Sequence, residues 1–393
     1  MGPDGGYAGR VMTIHRVSSG CGYEYYTREV ASADERLGRG EGIGDYYLKS
    51  GAPAGVWMGR SASRFNLGEE VSEQEMRDLF GEGKRPDAQR IRDAKGGVVD
   101  EGRLFLGQRM GAYSTGRERF REELNRRLDA LREQCGGSAP KEEAARVRLA
   151  WGREEFVREK MRQPLNPEEL SRYISAKLRP TGSAVAGFDC TFSAPKSVSV
   201  LWALGDRGLQ KEVEAAHLEA IERAVGFMES DVVGSRAGRN GVRRVAADGV
   251  VAARFRHYDS RAGDPQLHDH VVVANRVFCP GGGAEAGAGK WRTIDSKALY
   301  KAVVASSERY NDALMESLNR RLGVRFEVRR AGGGGAEKME VAGVPDSLIE
   351  EFSSRRSSIE ERLGRLVEEY REAHGRSPSK RTRMRLAQQA TLE

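Results

Sequence analysis

FRHYDSRAGDPQLHDHVVV, residues 255–273, holds three of the six histidines in the 393-residue chain. It lies inside two Val-rich alternating runs, GVVAARFRHY and LHDHVVVANRVF, which read as strands. DSRAGDPQ between them is turn chemistry. His268 and His270 are two apart on one strand, so both side chains point to the same face. His257 ends the preceding strand, and the turn brings it alongside. Three neutral imidazoles on one face make a divalent-metal site with open coordination positions. A metal there can polarise a phosphoryl oxygen as a Lewis acid. The plainer reading is two strand histidines on a solvated face; the third, on the neighbouring strand, tips the balance towards metal.

Working outward, GFDCTFSAP (187–195) alternates like another strand and stops at a proline. Asp189 shares a face with Thr191 and Ser193. A carboxylate there can orient a histidine ligand or accept a tyrosine proton, or simply pair with an arginine. Lys196, after the proline, is placed to touch a phosphate or to be solvated.

KSVSVLWAL begins a helix, and residues 210–229 form an amphipathic one. Residues 296–322 read as one long helix capped by Gly323. VRFEVRR and EKMEVAG are strands around AGGGGA, and 346–375 and 380–393 are charged helix. Residues 72–80 are a short helix with a Ser72/Glu75 capping box. Residues 114–179 are charged surface helices inserted on the main domain. The expected class is α+β, with helices on one face of the sheet.

Near the N-terminus, GYEYY and GDYY place Tyr23, Tyr25, Tyr26, Tyr46 and Tyr47 within twenty-five residues. Any one of them is most simply a packing residue. Two tyrosine pairs beside a histidine metal site point instead to a nucleophile, because tyrosine forms covalent intermediates. With a pKa of about 10 it needs activation by a metal or a base.

Composition sets the bounds. Basic residues exceed acidic ones by seven, and the pI is near 9.2. Such a balance permits nucleic acid or a membrane surface as partner without requiring either. No run of eighteen apolar residues and no signal-type start occurs, so membrane insertion is not expected and a cytoplasmic location is. Four scattered cysteines argue against a disulfide framework or a cysteine zinc site.

Together these blocks resemble the HUH endonucleases, and more narrowly the MobF (TraI/TrwC-like) conjugative relaxases. FDCTFSAPKSVSVLWALGD, FRHYDSRAGDPQLHDHVVVANRV, SKALYKAVVASSERYNDALMESLNRRLGVRFEV and VAGVPDSLIEEFSSRRSSIEERL stand in that family's order. The resemblance implies an antiparallel-sheet, palm-like HUH domain with helical insertions. It implies His257, His268 and His270 as metal ligands and Asp189 as the catalytic carboxylate. Tyr25 falls at the first nucleophile's position and Tyr46 at the second's, with Tyr26 and Tyr47 completing the pairs. The implied cofactor is a divalent ion, Mg or Mn. The implied partners are single-stranded DNA and a hairpin at a plasmid transfer origin, relaxosome accessory proteins and a coupling protein. The implied activity is strand-specific nicking through a 5′-phosphotyrosine, with later religation, and the 114–179 helices and the Arg-rich stretch are expected to grip phosphates.

Three features depart from the family's pattern: a longer stretch between the tyrosine pairs, Asp269 between the paired histidines, and no helicase domain. No G-x-x-x-x-G-K-[ST] occurs, so ATP hydrolysis is not expected of this chain. The expected organisation is a tail or upstream start at 1–11, a relaxase domain at 12–345 and a helical extension at 346–393 that opens a further region. Two rival activities are a metal-dependent phosphodiesterase that uses water, and a non-catalytic DNA-binding or replication-initiation module.

Overall fold

The computed structural model describes residues 11–20, 22–24, 26, 53–110, 115–135, 140–178, 184–260, 262–281, 289–330 and 337–391. Tyr25, Tyr46 and Tyr47 lie outside the described residues. The chain forms two compact units, 108–184 and the remainder.

The larger unit contains β1 (Met12–Ser18), β2 (Val56–Met58), β3 (Val185–Ser193), β4 (Gly234–Ala237), β5 (Arg243–Ala246), β6 (Ala252–Asp259), β7 (Pro265–Ala274), β8 (Val277–Cys279), β9 (Lys290–Arg292), β10 (Phe326–Arg330) and β11 (Glu337–Val341). The helices, in chain order over both units, are α1 (Glu73–Met76), α2 (Ala88–Ala94), α3 (Thr115–Gln134), α4 (Lys141–Lys160), α5 (Pro167–Leu178), α6 (Lys196–Leu204), α7 (Arg207–Phe227), α8 (Ser296–Lys301), α9 (Val303–Leu322), α10 (Asp346–Glu351), α11 (Ser354–His374) and α12 (Lys380–Thr391).

The central sheet runs β1-β3-β7-β6-β2, with every neighbouring pair antiparallel. The three remaining pairs, β4–β5, β8–β9 and β10–β11, are two-stranded. Alternation sorts the sheet's side chains between two faces. Phe188, Cys190, Phe192, Val271 and Val273 point to one face and pack under α7 and α9, against Ala220, Ile221, Tyr310 and Leu314. This is the main core. The opposite face carries Asp189, Thr191, His257, His268 and His270. At the Gly187 end that face is met by Phe80, in the π-helical turn that continues α1. A Cβ on Gly187 would lie 2.8 Å from the Phe80 ring, so only glycine admits the contact.

The caps follow the sequence. Ser72 and Glu75 form the expected capping box, and Asp206 caps α7 through the Leu209 amide. Gly323 closes α9 in the left-handed conformation, φ 65°. Three spans differ from expectation. The long helix over 296–322 is two helices, breaking at Ala302 (ψ −3°) so that Leu299 and Val303 both reach buried positions. The 346–375 helix breaks at Phe352–Ser353. The strand over 267–278 ends at Ala274, because Asn275 turns the chain: its side chain donates to Val185 O and accepts from Ile294 N.

The smaller unit is α3, α4 and α5. Phe120, Leu124 and Trp151 form one of its cores, with Trp151 Nε1 donating to Phe120 O. Phe156, Leu170 and Ile174 form another. Its arginines are extensively paired: Arg127 with Glu123 and Glu154, Arg126 with Glu123, and Arg162 with Glu169. These helices therefore offer less uncompensated positive charge to a phosphate backbone than their arginine content suggests. Among the described residues no helix is long and apolar enough to cross a membrane.

Candidate metal and nucleophile site

The antiparallel register of β6 and β7 sets His257 directly opposite His268, while His270 lies opposite Thr191 of β3 on the other side. The three imidazole centroids are 5.1, 5.1 and 5.3 Å apart. One nitrogen from each lies within 4.8 Å of the others. Among the described residues this is the one group of histidine, cysteine or carboxylate side chains so arranged.

Two of the rings are held from behind. His268 Nδ1 lies 2.8 Å from Gln266 O, and a carbonyl only accepts, so Nδ1 carries the proton. His270 Nδ1 lies 2.8 Å from Asp189 Oδ2, across 81 residues of sequence. Thr191 Oγ1 sits 3.3 Å from the same nitrogen. Both contacts place the lone pair on Nε2, the arrangement of a metal-ligating histidine with its outer partner. Burial first, then the neighbouring rings, pushes the His257 pKa down to about 3. Burial is also the main cause at His268, pushed down to about 4. Both are therefore neutral imidazoles at neutral pH.

Tyr26 N donates to Tyr23 O at 3.1 Å. The Tyr23 hydroxyl accepts from Arg77 Nε at 3.2 Å, in a buried position. Tyr26 is also buried, stacked on Phe255 with centroids 5.8 Å apart and tilted against His270 at 5.5 Å. The structure thus joins His257, His268, His270, Asp189 and Tyr26, and turns Tyr23 to Arg77. Lys196 does not float in solvent: its ammonium donates to Pro265 O at 2.7 Å, and burial lowers its pKa against the opposing pull of the Asp264 carboxylate.

Sequence reading missed what lies behind the histidines. Arg254 and Arg256 alternate with Phe255 and His257 along β6, and the same period-two argument assigns them to the opposite face. His217, in α7, carried no signal beyond being one histidine on an apolar helix.

The TrwC relaxase family model matches residues 19–393. The chain belongs to the TrwC relaxase family. The multifunctional conjugation protein TraI of Escherichia coli is 35% identical over 185 residues, 45% of this chain and 10% of TraI. TraI of strain K12 is 34% identical over 188 residues. The matches thus span about a tenth of the length of these relatives. The conjugative relaxase TrwC, solved in a copper-bound complex with oriT DNA, superposes with a TM-score of 0.52 at 21% identity, covering 97% of this chain and 91% of that one. A second metal-bound TrwC–oriT complex gives a TM-score of 0.51 over the same shares at 21% identity. At that identity the likeness establishes the TrwC fold, an α+β HUH domain.

Proposed function

We propose that this TrwC-family chain is a conjugative relaxase that cuts one DNA strand at a plasmid transfer origin by tyrosine transesterification and later rejoins it. The observation that carries the reading is the convergence of three imidazoles with a carboxylate on one of them, on the sheet face where Tyr26 packs. The relatives' names support it: TraI is a conjugation protein, and TrwC was solved with oriT DNA.

The donor set suits a divalent ion, since three nitrogens converge and the outer nitrogens of His268 and His270 are already hydrogen-bonded. Mn²⁺ tolerates imidazole better than Mg²⁺, which prefers oxygen ligands. When bound, the ion supplies Lewis-acid polarisation of the scissile phosphate. The protein's own groups do the rest. Asp189 fixes the His270 ring and its tautomer. The Tyr25 oxygen attacks phosphorus in line as its proton leaves to solvent or a base. The bond to the 3′ oxygen breaks, and that oxygen takes up a proton. The products are a 5′-phosphotyrosine and a free 3′-OH, whose reverse attack rejoins the strand. Tyr46 serves the second transfer, because the first tyrosine is by then esterified. Tyr26 orients and packs, and Tyr47 stands as Tyr46's neighbour.

The partners in this reading are single-stranded DNA with its flanking hairpin, relaxosome accessory proteins and a coupling protein. The nuclease occupies 12–345, and 346–393 is its helical extension. A denaturing gel with a transfer-origin oligonucleotide tests the mechanism. The parent chain should leave a covalent adduct, Tyr25→Phe none, and Tyr46→Phe should keep first-strand cleavage. Full cleavage without adduct means that water is the nucleophile and refutes the reading.

A further inference from the structure

Between His268 and His270, alternation sends Asp269 to the opposite face of the sheet, where it is fully buried at 0% exposure. Its Oδ1 accepts from Arg256 Nε at 3.0 Å, and its Oδ2 from Arg254 Nη1 at 2.6 Å and Arg256 Nη2 at 3.3 Å. Oδ1 also meets His217 Nε2 at 3.1 Å. His217 Nδ1 lies 2.6 Å from the Tyr310 hydroxyl. Arg256 reaches on to Glu214 at 3.4 Å. One carboxylate therefore binds β6 on one side and, through His217, both α7 and α9 on the other.

The connectivity is the telling feature. Asp269 is peptide-bonded to His268 and to His270. Arg256, which it grips through two nitrogens, is peptide-bonded to His257. The backbone of all three proposed ligands is thus tied to one buried carboxylate. No substrate or metal reaches that carboxylate, so it touches no reacting atom. A buried charge cluster of this kind adds little net stability, since desolvating the ions offsets their attraction. What it does enforce is register. Sliding β6 by one residue turns both arginines to the other face and leaves Asp269 an uncompensated buried charge.

Resting on the metal reading above, we propose that Asp269 is a positioning residue. It locks β6 against β7 so that the three imidazoles converge before a metal arrives. Outer-sphere partners of metal ligands typically change affinity about 10- to 100-fold, and Asp269 should act on that scale from the far side of the sheet.

The experiment is calorimetric titration of the full 393-residue chain with Mn²⁺. Asp269→Asn should fold, as checked by circular dichroism, and bind Mn²⁺ about 10- to 100-fold more weakly than the parent. Leu318→Ala is the control. It hollows the same core eight residues along α9 from Tyr310, lowers the melting temperature, and should leave Mn²⁺ affinity unchanged. If Asp269→Asn fails to fold, Arg256→Lys takes its place: it keeps the charge but loses the two-nitrogen fork, and should weaken Mn²⁺ binding measurably. Parent-like affinity in the folded Asp269 variant, or in Arg256→Lys when that stands in, overturns the proposal. So does an equal loss in Leu318→Ala. A parent chain that takes up no Mn²⁺ refutes the metal reading itself, and this inference with it.

Discussion

Replacing Asp189 by asparagine removes one charge and almost no volume. In the parent, His270 Nδ1–H donates to Asp189 Oδ2 at 2.8 Å, in a nearly buried position, and Thr191 Oγ1 donates weakly to Oδ1 at 3.4 Å. A hydrogen bond to a charged group contributes about 1.5–3 kcal/mol, and every 1.4 kcal/mol is a factor of about ten in affinity. The asparagine amide also has two faces. With its oxygen towards His270 the tautomer survives but the charge assistance is gone. With its NH₂ there, Nδ1 must accept, and the proton moves to Nε2, the coordinating atom. Either way Mn²⁺ affinity should fall by about ten- to a hundredfold, matching the usual effect of losing an outer partner. Calorimetry with Mn²⁺ reads the affinity, and the covalent adduct assay should fall in parallel at limiting metal and recover at high metal. Unchanged affinity in a folded Asp189→Asn protein would refute the view that this carboxylate tunes His270.

His268→Ala leaves two imidazoles and should abolish both Mn²⁺ uptake and strand cleavage; retained Mn²⁺ affinity removes the three-histidine assignment. Because burial depresses the His257 and His268 pKa values to about 3 and about 4, the unfolded chain takes up protons that the folded one refuses. The melting temperature of the metal-free protein should therefore hold above pH of about 6.5, the ordinary histidine value, and fall from there towards about 4. A His257→Gln/His268→Gln protein should show a flatter profile over that window, and an equally steep one counts against the assignment. Tyr26→Phe should keep cleavage, since ring packing on Phe255 and His270 is what the structure shows, whereas Tyr26→Ala should cost about 3 kcal/mol in denaturant melts. Loss of adduct in a stably folded Tyr26→Phe protein would make Tyr26 a nucleophile.

The period-two pattern of 255–273 was enough to put His268 and His270 on one face, and the turn chemistry of DSRAGDPQ enough to bring His257 beside them. Helix ends were legible where a single side chain or glycine does the work, as at Ser72 and Gly323. These signals are local: alternation, caps and turns depend on a few neighbouring residues. Sheet order is not local. That β3 lies between β1 and β7, and so delivers Asp189 to His270, follows from which apolar faces pack under α7 and α9. Burial of Asp269 was equally illegible, because alternation only says that it opposes the histidines, not whether water or a helix layer waits there. The tertiary structure supplied His217, Arg254 and Arg256 as its partners. It likewise broke the strand at Asn275 and the helix at Ala302, where hydrogen bonds and core contacts from distant segments overrode a local period that ran straight through. Sequence alone thus determined the histidine hairpin, while folding of the rest around it decided what holds those histidines in place.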